Sequence, residues 1–599
     1  MNQHLSITPR LVYALLAILP FLTACNMDLY PEDQLSTETF FTSEVEMRQY
    51  TNYFYCLMPD PETMYAEEGE HFTAPVANDI MQGIRNIHSA DGYWNSSTWR
   101  VLRKINYCLD NAYRCKDEDA RRHYVGVAHF FRAYFYFSML QRFGAVPWYE
   151  HAINADDVDA LSKKQDSREV IIRHIITDLD SAVVELPDIH TPYEVNKWTA
   201  LALKSRACLF EGTFRKYHAG TTFNGGSTLY SEVLPYEYLL QECISASQQL
   251  MQEGGYALYT KGSEPYRMLF ASAEANADEV IWARIYSKEL NIKHNAQGWS
   301  VARQTGFTKR FTNLYLMQDG TRFTDIDGYD TLTYVEEFEN RDARMPQTIH
   351  APGYIQMGDS KTYPVNLAQT YTGYKYIKYI MESAYNNWDA SITAMPLFRL
   401  AEVYLNYAEA RCELQQLTQN DLDITINRLR ARAGVAPLTL TVAEDTYLSR
   451  DYGFSNPVLN THPNKNVLLE VRRERMVEMP LEGIHYWDIM RWKEGHIFTL
   501  PRYGAYFPRE GKYDLTGDGK KNVLITSDPN EKAGIGVTKL IIGEDIVLSN
   551  GTSGNMLVYP NQIFIWNEDK DYLYPIPLQE RMLTGGALWQ NPGWVDDVE

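Results

Sequence analysis

The sequence predicts a mainly α-helical protein, a scaffold of paired helices carrying an irregular, loop-rich part with short strands. Apolar residues recur at spacings of three and four from 99 to 253 and again from 396 to 495. These stretches open on polar capping residues and stop at glycine or proline. Between them, from about 256 to 394, the periodicity lapses and tyrosines and tryptophans stud a run of loops.

An extended arm from Leu29-Tyr30-Pro31 to Phe40-Phe41 leads into a helix at 44–58, where Ser43 and Glu46 form a capping box. Residues 60–98 are irregular and hold Asp79, Arg85, His88, Tyr93 and Trp94. A helix at 99–116 aligns Val101, Ile105, Leu109 and Ala112, and a longer one at 119–143 stops at Gly144. Ser167 and Pro187 bound a third at 167–186. A fourth at 197–214 carries the small residues Ala200, Ala202 and Ala207, and a fifth runs from 236 to 253. Paired helices with small residues at their crossings suggest tetratricopeptide-type packing, although that repeat's consensus is absent.

Glu279 to Ala283 reads as a short strand. Helices return at 396–414, where Leu397, Ala401, Tyr404, Leu405, Ala408 and Cys412 share a face, and at 420–433. Residues 466–495, NVLLEVRRERMVEMPLEGIHYWDIMRWKEG, form two amphipathic helices that break at Pro480 and Gly483. Their Glu474, Arg475, Glu478, Glu482, Asp488 and Arg491 read as a polar network locking a helix corner, with a catalytic cleft as the alternative. The tail from 500 to 570 is loop and short strand.

Charge and composition narrow the function. A net charge of −21 argues against nucleic acid, whose phosphates need a basic footprint. The 43 tyrosines, against 23 phenylalanines, suit water-facing sites for sugars or peptides as well as ordinary helix packing. Residues 1–24 form a signal segment, with Arg10 before an apolar run at 11–22 that is too short to span a bilayer. Leu22-Thr23-Ala24-Cys25 matches a lipobox, so a mature protein lipidated at Cys25 is expected. Asp28, Glu32 and Asp33 just behind it resemble the acidic export signal of surface-displayed lipoproteins. Cys56, Cys108, Cys115, Cys208, Cys243 and Cys412 show no metal spacing and are expected to be free. The expected organisation is signal peptide 1–24, lipidated tether and arm 25–45, a helical half 46–260, and a second half 261–599 with the loop-rich binding region and closing helices.

No nucleophile elbow, phosphate loop, HExxH or dinucleotide fingerprint appears, and no catalytic residue or metal ligand is assigned. His123 and His129 are six apart, which is not same-face metal spacing. Asp514, Thr516 and Asp518 with Gly519 match the front half of a calcium loop. Ile525 stands where the bidentate glutamate belongs, so a solvated turn is expected there, with bound calcium as the alternative and no other cofactor.

Several motifs, in order, resemble the SusD/RagB family of nutrient-binding lipoproteins. They are the lipobox and the Tyr30-Pro31 to Phe40-Phe41 arm, then Arg132-Ala133-Tyr134 to Arg142-Phe143-Gly144 and Pro147. Arg399 to Ala410 and Asn427 to Val435 follow, then Glu474-Arg475, Glu482-Gly483 and Asp488 to Trp492, and finally Tyr574-Pro-Ile-Pro577 and Gln590 to Trp594. The sequence departs from the pattern at His485 in place of arginine, Tyr486 in place of tryptophan, and at Pro480. The resemblance implies tetratricopeptide-like helix pairs supporting an irregular ligand-binding part. It also implies a non-enzymatic protein on the outer membrane, facing the exterior, that binds oligosaccharides or polysaccharides and delivers them to a SusC-like TonB-dependent transporter. A peptide-capturing member is the alternative; a lipid-anchored glycoside hydrolase or a purely structural scaffold is more remote. The family's binding residues vary, so the site is read from placement. Stacking on sugar faces needs aromatic rings, and hydroxyls need amide, carboxylate or guanidinium partners. Asp79, Arg85, Tyr93 and Trp94 in the first irregular segment, and Trp299, Tyr354, Asn387 and Trp388 in the second, meet that description.

Overall fold

The computed structural model describes residues 40–66, 69–88, 93–154, 156–221, 234–453 and 456–595. The signal segment, Cys25 and the arm through Thr39 lie outside the described residues.

Helices dominate. The capping box opens α1 (Glu44–Thr51), where Glu46 accepts the Ser43 amide at 3.2 Å, and a 3-10 turn continues it to Leu57. Then come α2 (Ser96–Asn111), α3 (Glu118–Phe143), α4 (Arg168–Glu185), α5 (Lys197–Tyr217) and α6 (Tyr236–Glu253). Side chains cap their starts: Asn95, Asp117, Ser167 and Asn196 each accept amides of the first turn. Neighbours pair in sequence, α2 on α3, α3 on α4, α4 on α5 and α5 on α6. Small residues bring them close, as where Gly212 of α5 faces Leu240 of α6, and a Cβ there would sit 3.0 Å from that leucine.

The second half adds α7 (Leu400–Glu413), α8 (Lys465–Glu478) and α9 (His485–Trp492). α6 packs along α7 and α7 along α8, and one hydrophobic core runs through both halves. Ser205 of α5, Ser247 of α6 and Asn406 of α7 join in a buried hydrogen-bond chain, 2.8 and 3.0 Å long.

Strands are short and paired across long separations. β1 (Phe72–Thr73) pairs with β3 (Gly306–Phe307), and β2 (Val280–Arg284) with β4 (Met395–Arg399), both antiparallel. In the tail, β5 (Tyr503–Phe507) pairs with β9 (Gly554–Leu557). There β7 (Val523–Thr526) also runs between β6 (Gly511–Tyr513) and β8 (Thr538–Ile541). Two expected helices differ. The start of 396–414 is β4, because its backbone is taken up by β2. The helix at 420–433 is two, broken at Thr425 with φ −129° and ψ −90°.

The corner at 466–495 is the charged centre of the molecule. α8 ends at Glu478, and Gly483, at φ +70°, turns the chain into α9. Glu478 accepts from Arg399 at 2.6 Å and Arg344 at 2.8 Å and also meets Arg432; Glu482 takes Arg399 at 2.7 Å. Arg475 donates to Asp488 and Asn406, both at 2.7 Å. A cavity of about 90 Å³ beside this corner is far below the roughly 300 Å³ that small ligands need. The network is structural.

Candidate ligand pocket

Residues 300–386, with Thr538 of the tail, build a pocket of about 380 Å³ from loops pinned to the scaffold. One wall is the helix Ala296–Ala302, which contributes Ser300 and Val301. The opposite wall is Tyr374 to Ile377, an extended run that bridges Phe307 and Ile349. Tyr374 turns into the core, the buried Tyr376 donates its hydroxyl to the Ala296 carbonyl at 2.7 Å, and Lys375, Tyr376 and Ile377 line the pocket.

Amides fix the rim. Gln297 donates to the Asn386 side-chain oxygen at 2.8 Å, and Gln356 donates to the same atom at 3.0 Å. Asn386, Gln356, Asn366 and Gln369 therefore bring amide groups to one cavity. Tyr354 and Tyr363 flank them, and Tyr363 is 46% exposed. The Tyr354 ring lies 4.4 Å from that of His350, under the Arg267 guanidinium at 5.0 Å. His350 donates from Nε2 to the Tyr363 carbonyl at 2.9 Å, and burial pushes its pKa down to about 4. It is neutral at physiological pH.

Just outside stands Trp388, half exposed, held by Asn295 against Asp389. Gly298 lies against the Asn387 carbonyl, where a Cβ would come within 3.2 Å, so the helix and this loop meet backbone to backbone. Arg303, exposed, spans from the Trp299 ring at 5.1 Å to the Trp388 ring at 5.5 Å. Aromatic faces beside convergent amides and one ammonium are suited to a polyhydroxylated ligand.

The structure divides the sequence-predicted residues. Tyr354 lines this pocket; Asn387 and Trp388 are exposed and follow the lining residue Asn386 in the chain without lining it themselves. Trp299 belongs to the wall helix but is 5% exposed, packed edge-on against Tyr65. The other four lie elsewhere. Asp79 is exposed in the first turn of a short helix. Arg85 donates to Asp571 at 3.1 Å, and Tyr93 lies beneath the Arg142 guanidinium at 3.5 Å. Trp94, 3% exposed, packs on Trp99 and Phe143 and walls a separate groove of about 480 Å³. Lys375, Gln356, Gln369, Asn386, His350 and Tyr363 were missed. The one signal for them is the run Tyr374-Lys375-Tyr376-Ile377-Lys378-Tyr379, where lysines interrupt an aromatic stretch.

Two further expectations concern ions. Asp514 Oδ1 accepts the amides of Thr516 and Gly517, and its Oδ2 that of Gly519, so this turn engages its own backbone. Among the described residues, Glu70, His71 and His485 are the group able to approach a metal. The two imidazoles stack 3.8 Å apart and within 5° of parallel. In-plane lone pairs of parallel rings do not converge on one ion at about 2 Å. His485, the departure from arginine, meets both Glu70 oxygens at 3.1 Å and serves as a buried hydrogen-bond partner.

Helix pairs stand behind a loop-built, amide- and aromatic-lined pocket. The SusD family pattern matches residues 268–594, more than half of the chain, and one described as starch-binding associating with outer membrane matches residues 33–209. A SusD-like protein P2 of Formosa agariphila is 22% identical over 417 residues, 67% of this chain and 72% of that protein. Among solved structures, a SusD-like carbohydrate binding protein of Bacteroides fragilis superposes with TM-score 0.67 at 22% identity, covering 91% of this chain and 99% of that one. A second SusD-like protein of the same species gives 0.67 at 18%, covering 93% and 98%. The chain belongs to the SusD family.

Proposed function

We propose that the protein captures oligosaccharides or polysaccharides in the pocket between Ser300 and Asn386, with Trp388 as a stacking platform at its mouth. Delivery follows to a SusC-like TonB-dependent transporter, from a position on the outer surface held by the lipid on Cys25. The observation that carries this reading is the convergence of four side-chain amides and flanking tyrosines on one cavity with a half-exposed tryptophan beside it. The carbohydrate-binding description of the Bacteroides fragilis relative supports it. Calorimetry of the mature protein against a glycan panel tests it, with Trp388→Ala as the control. Tight binding of peptides with no binding of any glycan overturns it. Co-purification with a SusC-like TonB-dependent transporter tests delivery.

A further inference from the structure

Two lysines in one aromatic run are treated differently. Lys378 is fully buried and fully answered: its ammonium donates to Glu482 and to the Pro480 carbonyl, each at 2.7 Å. Lys375 is 8% exposed, and its ammonium has the Gln369 side-chain oxygen at 3.3 Å. Among the described residues it forms no ion pair with a carboxylate. An ammonium taken out of water without a counter-charge is held at a cost in stability. Burial pushes both ammonium groups down to about 8, so the two lysines differ in their partners and not in that shift.

The surroundings make this pointed. The chain carries 77 aspartates and glutamates, yet none lines the cavity that Lys375 and Gln369 share. The other basic groups near it are His350, which is neutral, and Arg267, which is answered by Glu264 at 3.1 Å outside the lining. A strongly acidic protein has thus kept acid out of one cavity and left a cation in its wall. That is a site for an anion.

We infer that the pocket selects an acidic glycan, one whose sugar carries a carboxylate or a sulfate ester, and that Lys375 supplies the counter-charge. The inference rests on the reading of this pocket as the glycan site. The amides of Gln356, Asn366, Gln369 and Asn386 then serve the hydroxyls, and the anionic group completes the coordination that Gln369 alone gives the ammonium. A negative surface repels anions at long range, so selectivity comes from this desolvated contact.

The test is calorimetry with the mature protein against three sets of oligosaccharides: carboxylated (oligogalacturonides, alginate fragments), sulfated (galactan and fucan fragments) and neutral (malto-, xylo- and galacto-oligosaccharides). The expected result is binding of an acidic set at least tenfold tighter than its neutral counterpart, with the two acidic arms showing which anion is used. Lys375→Gln should cost at least tenfold for the acidic ligand, and Lys375→Arg should retain most of the affinity. Neutral sugars binding as tightly as acidic ones, or a Lys375→Gln protein with unchanged affinity, overturns the inference while leaving glycan capture intact. Failure of every glycan set overturns both. Should Lys375→Gln not fold, wild-type protein decides: affinity for the acidic ligand should fall at least tenfold from pH 7 to 9.5, and a flat profile overturns the inference.

Discussion

Arg491 and Glu409 meet fork to fork, at 2.6 and 2.8 Å, where neither side chain reaches solvent. Trp492 donates its indole N–H to the same carboxylate at 2.6 Å, and Arg491 also holds Asp488 at 2.9 Å. One carboxylate thereby ties α9 to α7, and Asp488, through Arg475, ties it to α8. Removing one partner of such a pair strands the other charge in a dry interior, which costs about 3–5 kcal/mol. Asp488→Ala and Arg491→Ala should lower the melting temperature markedly. Glycan affinity of the folded fraction should stay as it was; loss of affinity at an unchanged melting temperature would contradict a structural role.

The same burial sets the response to acid. Burial works against the Glu409 carboxylate, but Arg491, with Arg475 and Arg472 behind it, outweighs this and brings its pKa down to about 2. A depressed carboxylate stabilises the fold above its unfolded pKa near 4.3 and loses that contribution as pH falls toward 2. His218, against the Met490 carbonyl, is pushed down to about 3 by burial. Below about 6.5 the unfolded chain takes up that histidine's proton and the folded one does not. Both signs agree, so these two groups lower thermal stability from about pH 6.5 and steeply below about 4.5, against the opposite pull of Glu494, whose carboxyl burial raises to about 8. Glu409→Gln should flatten the lower part of the curve.

Trp388 is the residue whose removal should separate binding from folding. Its ring is half exposed and its loop is held by Asn295 and Asp389 rather than by the indole. Trp388→Ala should weaken glycan binding by about tenfold, close to 1.4 kcal/mol, and leave the melting temperature within about 1 °C. An unchanged affinity would move the stacking platform elsewhere, with the groove beside Trp94 as the next place to look.

Much of the scaffold was legible because periodicity and capping act locally. Ser43 and Ser167 announce the helices they start, and the break at Pro480 to Gly483 falls where those residues put it. Met395–Arg399 misled because its apolar residues suit either period, and pairing with Val280–Arg284, more than a hundred residues away, decides the outcome. The site was legible only in part. Tyr354, which lines the candidate pocket, could be picked out as an aromatic residue in a loop. Lys375 could not, since a lysine in a loop reads as solvated until the bridge of Tyr376 to Ile349 is known. Trp94 and Trp299 are buried, since tryptophan's large apolar face packs into cores, a placement that their loop setting in the sequence does not reveal.

The thiols give a probe of the corner at α7, α8 and α9. Among the described residues six cysteines are free, and five of them are buried, leaving Cys56 exposed. Burial pushes Cys108 and Cys243 up to about 12, so both are protonated as well as shielded. In protein lacking residues 1–25, a thiol reagent at pH 8 should label one cysteine quickly and the other five only on unfolding. Cys243 Sγ lies 3.7 Å from the Asn406 carbonyl, and the Asn406 side chain accepts from Arg475, the partner of Asp488. Asp488→Ala frees that arginine and loosens the packing against Cys243, so labelling of Cys243 should accelerate before that of Cys108 on α2. Simultaneous acceleration at both would mean that the network fails only by global unfolding. Selective acceleration at Cys243 would show that the α7–α9 corner opens as its own unit.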